Sequence, residues 1–267
     1  MADPLYKVRD LRLSFPDMTR KPLLGSAPRI DILKGFSFDI HRGEVLGIVG
    51  GSGSGKSTLG RALVRLLEPT GGEVRFDGQD ITHADEAALR PLRRRFQMIF
   101  QDPMSSLNPR HTVGRIIGSP LVLHRLDAIP ARIERALDQV GLPKSFRARY
   151  PHELSGGQRQ RVGIARAIAL EPEFILADEI VSGLDVSSQA QVLNLLERLV
   201  HDLGLTLAFI SHDLSVIRRL CSRVMVLHKG EIVEMALTAR VFAAPQAAYT
   251  AELIDAIPLP DPDQNWR

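Results

Sequence analysis

The sequence predicts an α/β protein whose core is a parallel sheet. Three observations indicate this class. Short apolar runs typical of buried strands alternate with amphipathic helical stretches, a glycine-rich loop lies between one such run and a helix, and the N-terminal region shows the two-residue alternation of half-buried strands. Parallel strands need crossover connections, which these helices supply. We therefore expect a parallel α/β core preceded by an antiparallel β subdomain.

The composition is that of an ordinary globular protein. Its 267 residues include 34 Lys and Arg against 31 Asp and Glu, 44% are hydrophobic, and one is cysteine. These values exclude a disordered chain, a collagen, an internal disulfide and a metal site built on several cysteines of this chain. No apolar run approaches the roughly 20 residues that cross a bilayer. The first residues lack the basic and apolar regions of a secretory signal, so we expect none. We therefore expect a cytoplasmic protein, and the net charge of +3 does not predict a polyanionic partner.

The expected elements follow from periodicity along the chain. Alternating apolar residues predict strands at Val8 to Phe15 and Phe36 to Ile40, and Glu44 to Val49 predicts a buried strand. Pro69-Thr70-Gly71-Gly72 is expected to end the first helix. The other predicted elements are a helix at 58–67, strands at 74–76 and 96–100, a mainly helical region at 102–149, a helix at 155–170, a strand at 174–177, a helix at 187–203, a strand at 205–210 and a hairpin at 224–233.

The strongest motif is a glycine-rich phosphate loop, Gly50-Gly51-Ser52-Gly53-Ser54-Gly55-Lys56-Ser57, which fits G-x-x-x-x-G-K-[ST] between a strand and a helix. Glycines allow backbone N–H groups to surround a phosphate chain, and the helix adds its positive end. We expect Lys56 to contact the β- and γ-phosphates, Ser57 to bind Mg²⁺ and Thr58 to contact the α-phosphate. The alternative is a flexible Gly/Ser turn, but a chance match is on the order of one in a hundred.

A second motif is the apolar run Phe174 to Ala177, which ends in Asp178 and Glu179. A carboxylate at the end of a strand beside a phosphate loop is the expected partner of Mg²⁺, and a second one can orient or deprotonate the attacking water. We assign Asp178 to the metal and Glu179 to the water. An Asp-Glu pair alone is more often a solvated turn; the phosphate loop favours the catalytic interpretation.

The third motif, Leu154-Ser155-Gly156-Gly157-Gln158, precedes a helix rich in Ala and Ile. Ser155 is a competent N-cap, and the two glycines leave the first backbone N–H groups of the helix able to face an anion. A helix cap alone is the simpler interpretation. If this stretch does bind an anion, however, the chain has two anion sites, the phosphate loop and this helix start, for a single nucleotide.

These three motifs resemble, in order and spacing, those of ATP-binding cassette (ABC) ATPases, and the resemblance covers essentially the whole chain. It implies a P-loop NTPase core with an antiparallel β subdomain and an α-helical subdomain. The implied divisions are a nucleotide-binding domain at 1–235, including a helical subdomain at about 102–154, and a C-terminal tail at 236–267. In that family two cassettes pack head to tail, and each ATP lies between the P-loop of one and the Leu-Ser-Gly-Gly-Gln of the other.

The resemblance implies roles for five more side chains. Gln101 resembles the glutamine that contacts Mg²⁺ and water and senses the membrane partner, and His212 resembles the switch histidine at the γ-phosphate. Ser182 and Asp185 resemble the D-loop, which lies across the dimer interface. Phe15 is the candidate aromatic that stacks on adenine. Taken alone, such a histidine is usually structural, such a glutamine a turn residue, and Phe15 part of the core.

Several stretches are similar to the ATPase subunits of dipeptide, oligopeptide and nickel importers, especially the second ATPase of such systems. These stretches are Leu89 to Arg95, Gln97 to Arg110, Tyr150 to Arg161, Val186 to Leu196 and Ala248 to Thr250. Three positions differ: Gly51 replaces a common Glu, Ile180 a usual Pro after the catalytic Glu, and Gly183 a usual Ala. Many relatives carry a C-terminal cysteine cluster, which Cys221 alone cannot form.

The resemblance implies an ATP- and Mg²⁺-dependent ATPase at the cytoplasmic face of the cell membrane that energises import of peptides or related solutes. The implied partners are two permease subunits, a second ABC ATPase subunit and an extracytoplasmic solute-binding protein. Dipeptides, oligopeptides, nickel chelates and opines remain open as solutes, as do homodimer and heterodimer. The alternatives are an exporter motor and a soluble ABC protein acting on ribosomes or DNA. No nucleic-acid partner is expected, because the arginines at 90–95 lack an aromatic platform.

Overall fold

The computed structural model describes residues 3–21, 25–102 and 106–257 and confirms the α/β class. Residues 103–105 of the predicted helical subdomain and 258–267 of the predicted tail lie outside this part. The strands are β1 (Tyr6–Pro16), β2 (Arg29–Ile40), β3 (Val45–Gly50), β4 (Gly71–Phe76), β5 (Gln79–Asp80), β6 (Phe96–Ile99), β7 (Phe174–Asp178), β8 (Thr206–Ile210), β9 (Arg223–His228) and β10 (Glu231–Leu237). The helices are α1 (Lys56–Leu63), α2 (Glu86–Leu92), α3 (Val113–Leu123), α4 (Ile129–Gln139), α5 (Gly156–Ile168), α6 (Val186–Leu203), α7 (Leu214–Leu220), α8 (Thr238–Ala243) and α9 (Ala248–Asp255).

The chain divides into two compact units. The first comprises Met1–Ala84 and Ile210–Arg267, and the second comprises Asp85–Phe209. In the described part of the chain, no helix combines the length and the apolar character that a membrane crossing requires.

The first unit contains the predicted antiparallel sheet, with strand order β2-β1-β4-β5. Strand β1 is central, since Tyr6 is opposite Ile40 on one side and Phe76 on the other. Its alternating burial agrees with the alternating sequence: Tyr6, Val8, Leu11 and Leu13 are buried. Strand β1 therefore follows the two-residue period on either side of an interruption between Val8 and Leu11.

Glycines at the start of β4 differ from the sequence prediction. Helix α1 ends at Leu63, well before the expected stop at Pro69 to Gly72, and Gly71 and Gly72 instead begin β4. Strand β1 bulges here, with Asp10 at φ +46° and a register shift between Arg9 and Arg12. A Cβ at Gly72 would lie 2.2 Å from the carbonyl oxygen of Asp10. The bulge in β1 therefore requires a glycine at position 72 of the neighbouring strand. This requirement comes from a contact between two strands, so the turn residues alone do not predict it.

The first unit also contains strands β10, β9 and β3 in that order. Strand β3 pairs with β9 in parallel, and β9 pairs with β10 antiparallel through the predicted hairpin. The turn residues Lys229 and Gly230 both have positive φ, as a tight hairpin turn requires. Helix α7 packs on β3, where Ile217 and the buried Cys221 approach Gly47. Burial raises the pKa of the Cys221 thiol.

The second unit contains strands β8, β7 and β6 in that order, and β7 and β8 are buried throughout. Strands β6 and β7 run parallel, as expected of a parallel core, and Ile99 is opposite Ala177. Helix α5 packs against α3, α4, α6 and β6. Its Arg166 is half-buried and donates a hydrogen bond to the carbonyl oxygen of Ser106 at 2.7 Å. The helices at 113–139 agree with the helical character expected of the middle region.

We predict that Gly47→Ala destabilises the protein by about 1–3 kcal/mol, because the added methyl group overpacks the interface of β3 and α7. Its Cβ would lie 2.9 Å from Cγ2 of Ile217 and 3.0 Å from Sγ of Cys221. Gly71→Ala is the control in the same unit, since its Cβ would make an ordinary 3.6 Å contact with Arg12. Denaturant unfolding followed by circular dichroism measures both. Equal midpoints for the two variants would contradict the prediction.

Candidate functional site

The predicted phosphate loop lies in the first unit, where it follows β3 and leads into α1. Helix α1 begins at Lys56 rather than at Thr58, so Lys56 and Ser57 belong to its first turn. The ammonium group of Lys56 donates hydrogen bonds to the carbonyl oxygens of Gly50 at 2.7 Å and Gly51 at 3.0 Å. The N–H of Ser54 donates to the oxygen of Gly51 at 3.2 Å and closes the turn. The strand, loop and helix that the motif requires are thus present.

Two glycines hold the ends of the loop against neighbouring backbone. Gly50 has φ +150°, and a Cβ there would lie 2.2 Å from the carbonyl oxygen of Leu227 in β9. Gly55 has φ +102°, and a Cβ there would lie 3.0 Å from Cδ2 of Leu33 and 3.3 Å from the oxygen of Ile32 in β2. Only glycine fits both positions without displacing its neighbours. The loop conformation is therefore set by close packing against two strands.

The interior of the loop has polar groups suited to an anion. Ser52 and Gly53 are exposed, and Ser57 and Thr58 are half-buried. The Ser54 hydroxyl is buried and, among the described residues, has no hydrogen-bond partner. A buried hydroxyl without a partner costs free energy unless a ligand supplies one. The loop fits a phosphate chain in this respect.

His212 and Phe15 lie in the same unit. The N–H of Ser211 donates to the oxygen of Ile48 in β3 at 3.3 Å, so the turn that carries the exposed His212 starts beside the strand that leads into the loop. Phe15 is opposite Ile30 in β2 and is 40% exposed, so it is available for stacking and is not a core residue. Ile30 lies two residues before Ile32, which contacts the loop.

Sequence reasoning missed one contact of the loop. The N–H of Gly51 donates a hydrogen bond to the hydroxyl oxygen of Tyr249 in α9 at 2.8 Å. The Tyr249 ring also packs against the imidazole of His228, with ring centroids 3.9 Å apart. The only signal in the sequence was the tail stretch at 248–250, which indicated a branch of the family and not a contact.

In the second unit, parallel strands bring Gln101 and Glu179 together. Each lies two residues beyond the paired Ile99 and Ala177, and the Gln101 amide nitrogen donates a hydrogen bond to Oε2 of Glu179 at 2.9 Å. Asp178 is the buried last residue of β7. Glu179 has φ +49°, a left-handed conformation that costs roughly 1 kcal/mol for a residue with a Cβ. This backbone turns the chain directly after Asp178.

The glycine-rich stretch at 154–158 begins α5 through a reciprocal cap. The Ser155 hydroxyl accepts a hydrogen bond from the N–H of Gln158 at 3.3 Å, and the Gln158 side chain accepts from the N–H of Ser155 at 3.0 Å. Leu154 is buried, and Gly156 and Gly157 form the first turn. The residues that predicted an anion site thus also start the helix.

This helix start contacts the predicted D-loop. A Cβ at Gly157 would lie 3.2 Å from the Ser188 hydroxyl. Ser188 donates its hydroxyl to Oδ2 of Asp185 at 2.7 Å and its N–H to Oδ1 at 2.9 Å. These bonds hold the pKa of the Asp185 carboxyl below its ordinary value. Ser182, the other predicted D-loop residue, is exposed, and its N–H donates to the oxygen of Glu179 at 3.1 Å.

The candidate metal ligands suit Mg²⁺ in their chemistry. Ser57 offers a hydroxyl oxygen, Asp178 a carboxylate and Gln101 an amide oxygen, and all three are hard oxygen donors. The described residues contain no group of three or more His, Cys, Asp or Glu side chains that could hold a metal ion. Mg²⁺ bound with a nucleotide commonly uses one or two carboxylates together with phosphate oxygens and water. Each candidate residue therefore carries a donor of the kind that this ion binds.

Comparison with known proteins agrees with these motifs. Residues 33–182 match the family model described as ABC transporter. A Brucella ovis protein provisionally named a peptide import ATP-binding protein is 52% identical, covering 97% of this chain and 80% of its own length. The oligopeptide transport ATP-binding protein OppF of Bacillus subtilis is 47% identical, and the alignment covers 98% of this chain and 85% of OppF. The glutathione import ATP-binding protein GsiA of Salmonella paratyphi A is 48% identical, and the alignment covers 99% of this chain and 43% of GsiA.

Solved structures show the same fold. CbiO1 of Clostridium perfringens, described as part of the ABC transporter complex cbiONQ, has a TM-score of 0.79 at 31% identity and covers 91% of this chain and 92% of its own. The cassette MJ0796, in a dimeric post-hydrolysis state bound to ADP and Pi, has a TM-score of 0.76 at 30% identity and covers 87% and 98%.

We predict that Ser155→Ala destabilises the second unit by about 1 kcal/mol, because the N–H of Gln158 loses its cap. Ser155→Asp is the matched variant, because Asp caps helices as well as Ser does. Its free energy of unfolding should be within about 0.5 kcal/mol of that of the unmodified chain. Denaturant unfolding measures both. A Ser155→Ala protein as stable as the unmodified chain would contradict the capping role.

Proposed function

The chain belongs to the ABC transporter family of ATP-binding cassettes, and we propose that it is the ATP-hydrolysing subunit that powers import of peptides or related small solutes. The observation that carries this proposal is the set of motifs on a chain whose relatives are named for import. Those names specify peptide, oligopeptide and glutathione import. The relatives align with nearly the whole chain, so the similarity is not confined to the nucleotide motifs.

In this proposal the phosphate loop at positions 50 to 58 binds ATP, and its backbone N–H groups other than that of Gly51, which Tyr249 holds, face the phosphate chain. Lys56 exchanges its bonds to the carbonyl oxygens of Gly50 and Gly51 for the β- and γ-phosphates. Thr58 contacts the α-phosphate, and Phe15 stacks on adenine. Two observations support these assignments: Phe15 is exposed, and the Ser54 hydroxyl has no hydrogen-bond partner in the described part of the chain.

Hydrolysis in this proposal depends on Glu179, which orients and deprotonates the attacking water. Gln101 holds the Glu179 carboxylate by its 2.9 Å hydrogen bond. His212 donates to the γ-phosphate as negative charge develops on it. Ser57, Asp178 and Gln101 would hold Mg²⁺, which neutralises phosphate charge when bound.

We further assign the stretch Leu154 to Gln158 to the ATP of a partner cassette. Two glycines at the start of α5 leave N–H groups that can bind phosphate. Ser182 and Asp185 would lie across the dimer interface, and the contact of Gly157 with Ser188 would link the two segments. The dimeric form of the similar cassette MJ0796 supports this arrangement.

The proposed partners are two permease subunits, a second ABC ATPase related to this chain, and an extracytoplasmic solute-binding protein. The proposed location is the cytoplasmic face of the cell membrane. The similar CbiO1 is described as part of a transporter complex, which supports assembly with membrane subunits. Nickel and opine import stay possible within the same branch, because solute selection belongs to the partners. The names of the relatives favour peptides over these solutes and over a role on ribosomes or DNA.

We predict that Glu179→Gln lowers ATP turnover of the assembled transporter by about 10²- to 10⁴-fold, because the general base is lost. The Kd for ATP should stay within about twofold, since the phosphate loop is unchanged. Glu68→Gln is the control, because Glu68 is exposed and pairs only with the exposed ring of His83 among the contacts described. Unchanged turnover in Glu179→Gln would contradict the proposed role of this carboxylate.

The import proposal predicts that replacing the chromosomal gene by a Lys56→Ala version abolishes uptake of labelled di- and oligopeptides by the native host. Loss of ATP binding removes the power source, since Lys56 is the charged group of the phosphate loop. Uptake of labelled nickel and of an opine, measured in the same cells, is the control. Loss of nickel or opine uptake with unchanged peptide uptake would contradict the peptide assignment.

A further inference from the structure

We propose that Tyr249 is a positioning residue of the phosphate loop and that the C-terminal helix α9 thereby sets nucleotide affinity. The Tyr249 hydroxyl accepts a hydrogen bond from the N–H of Gly51 at 2.8 Å, although 198 residues separate the two in sequence. Its ring lies against the imidazole of His228, with centroids 3.9 Å apart and planes tilted by 41°. The tail of the chain thus contacts the loop through one directed hydrogen bond and contacts β9 through one ring contact.

Helix α9 is held in place by a buried carboxylate. Glu234 in β10 accepts hydrogen bonds from the N–H of Gln246 at 3.0 and 3.1 Å and from the N–H of Ala247 at 3.1 Å. Burial raises the pKa of this carboxyl, but the N–H donors outweigh burial and the net pKa is below the ordinary value. Glu234 therefore stays ionised and satisfies N–H groups at the start of the helix.

Apolar residues of α9 face the core of the first unit. Leu253 and Ile254 of α9 line an apolar pocket together with Val49 of β3 and Val226 of β9. Val49 directly precedes Gly50, where the phosphate loop starts. The helix thus packs on β10 and lies beside residues of β3 and β9 close to the start of the loop, which places Tyr249 next to Gly51.

The peptide groups around Gly51 are held from two sides. Lys56 donates to the carbonyl oxygens of Gly50 and Gly51, and Tyr249 accepts from the N–H of Gly51. When Lys56 moves to the phosphates, its bonds to these carbonyl groups are lost, whereas the bond to Tyr249 can persist. Tyr249 then keeps the first turn of the loop in the conformation that binds phosphate.

Residue 51 is matched to this contact by its size. A Cβ at Gly51 would lie 3.0 Å from the Tyr249 hydroxyl oxygen, closer than ordinary contact. A side chain at this position would therefore press on the hydroxyl that binds its own N–H. The resemblance leads one to expect Glu at position 51. Gly51 instead leaves room for the Tyr249 hydroxyl, which the side chain of a glutamate would crowd.

The test is Tyr249→Phe in the purified full-length chain. The variant keeps the ring contact with His228 and loses the hydroxyl, so the Kd values for ATP and for ADP should both rise about three- to tenfold, the range expected for one hydrogen bond. Amide hydrogen exchange at Gly51, followed by NMR with ¹⁵N-glycine labelling, should accelerate by at least a similar factor. Glu252→Gln, on the exposed side of the same helix, is the control and should change neither quantity.

A second variant tests the tail without touching the loop contact. Glu234→Gln weakens the anchor of α9 and should raise the Kd for ATP in the same direction as Tyr249→Phe. Unchanged Kd and unchanged Gly51 exchange in Tyr249→Phe would overturn the proposal, and tighter ATP binding would also overturn it. If Tyr249→Phe does not fold, Glu234→Gln with an unchanged Kd would overturn it. These measurements require no transport, so they are independent of the solute and partner assignments.

Discussion

The phosphate loop depends on the close approach of two backbones. Gly50 is opposite Leu227 in the parallel pair of β3 and β9, and its conformation leaves no room for a Cβ against the Leu227 carbonyl oxygen. Gly55 meets β2 in a similar way at the other end of the loop. Because both ends are fixed by packing, the loop does not have to be ordered by its ligand, which lowers the entropic cost of binding. The start of α1, the position of Lys56 and the contact with Tyr249 all depend on this arrangement.

In the second unit, residues that we assign to ligand binding also stabilise the local structure. Ser155 and Gln158 cap α5, and Asp185 caps α6 through Ser188, which packs on Gly157. The two helix starts are therefore connected by a short series of contacts. A change at one of them would alter the geometry of the other, so loss of activity in this region cannot by itself separate chemistry from folding.

The sequence predicts well those features that arise from local pattern. The phosphate loop follows from its residue types and from the strand and helix around it. Gln101 and Glu179 were each singled out from the sequence, but their hydrogen bond to one another is known only from the pairing of β6 with β7. Features that depend on distant partners were not predictable. The bulge at Asp10 is matched by Gly72 on another strand, and Tyr249 meets Gly51 across most of the chain. In each case neither residue alone carries a sign of the other, because the contact exists only after the sheets have formed.

The single cysteine has a practical consequence. Cys221 is 6% exposed, packs behind β3 and has a raised thiol pKa, so little thiolate forms near neutral pH. A maleimide or spin-label reagent would find no reactive native thiol on the folded protein. Cysteines introduced at chosen surface positions could then be labelled selectively without first removing Cys221, and distance measurements on this chain could be made in an otherwise native background.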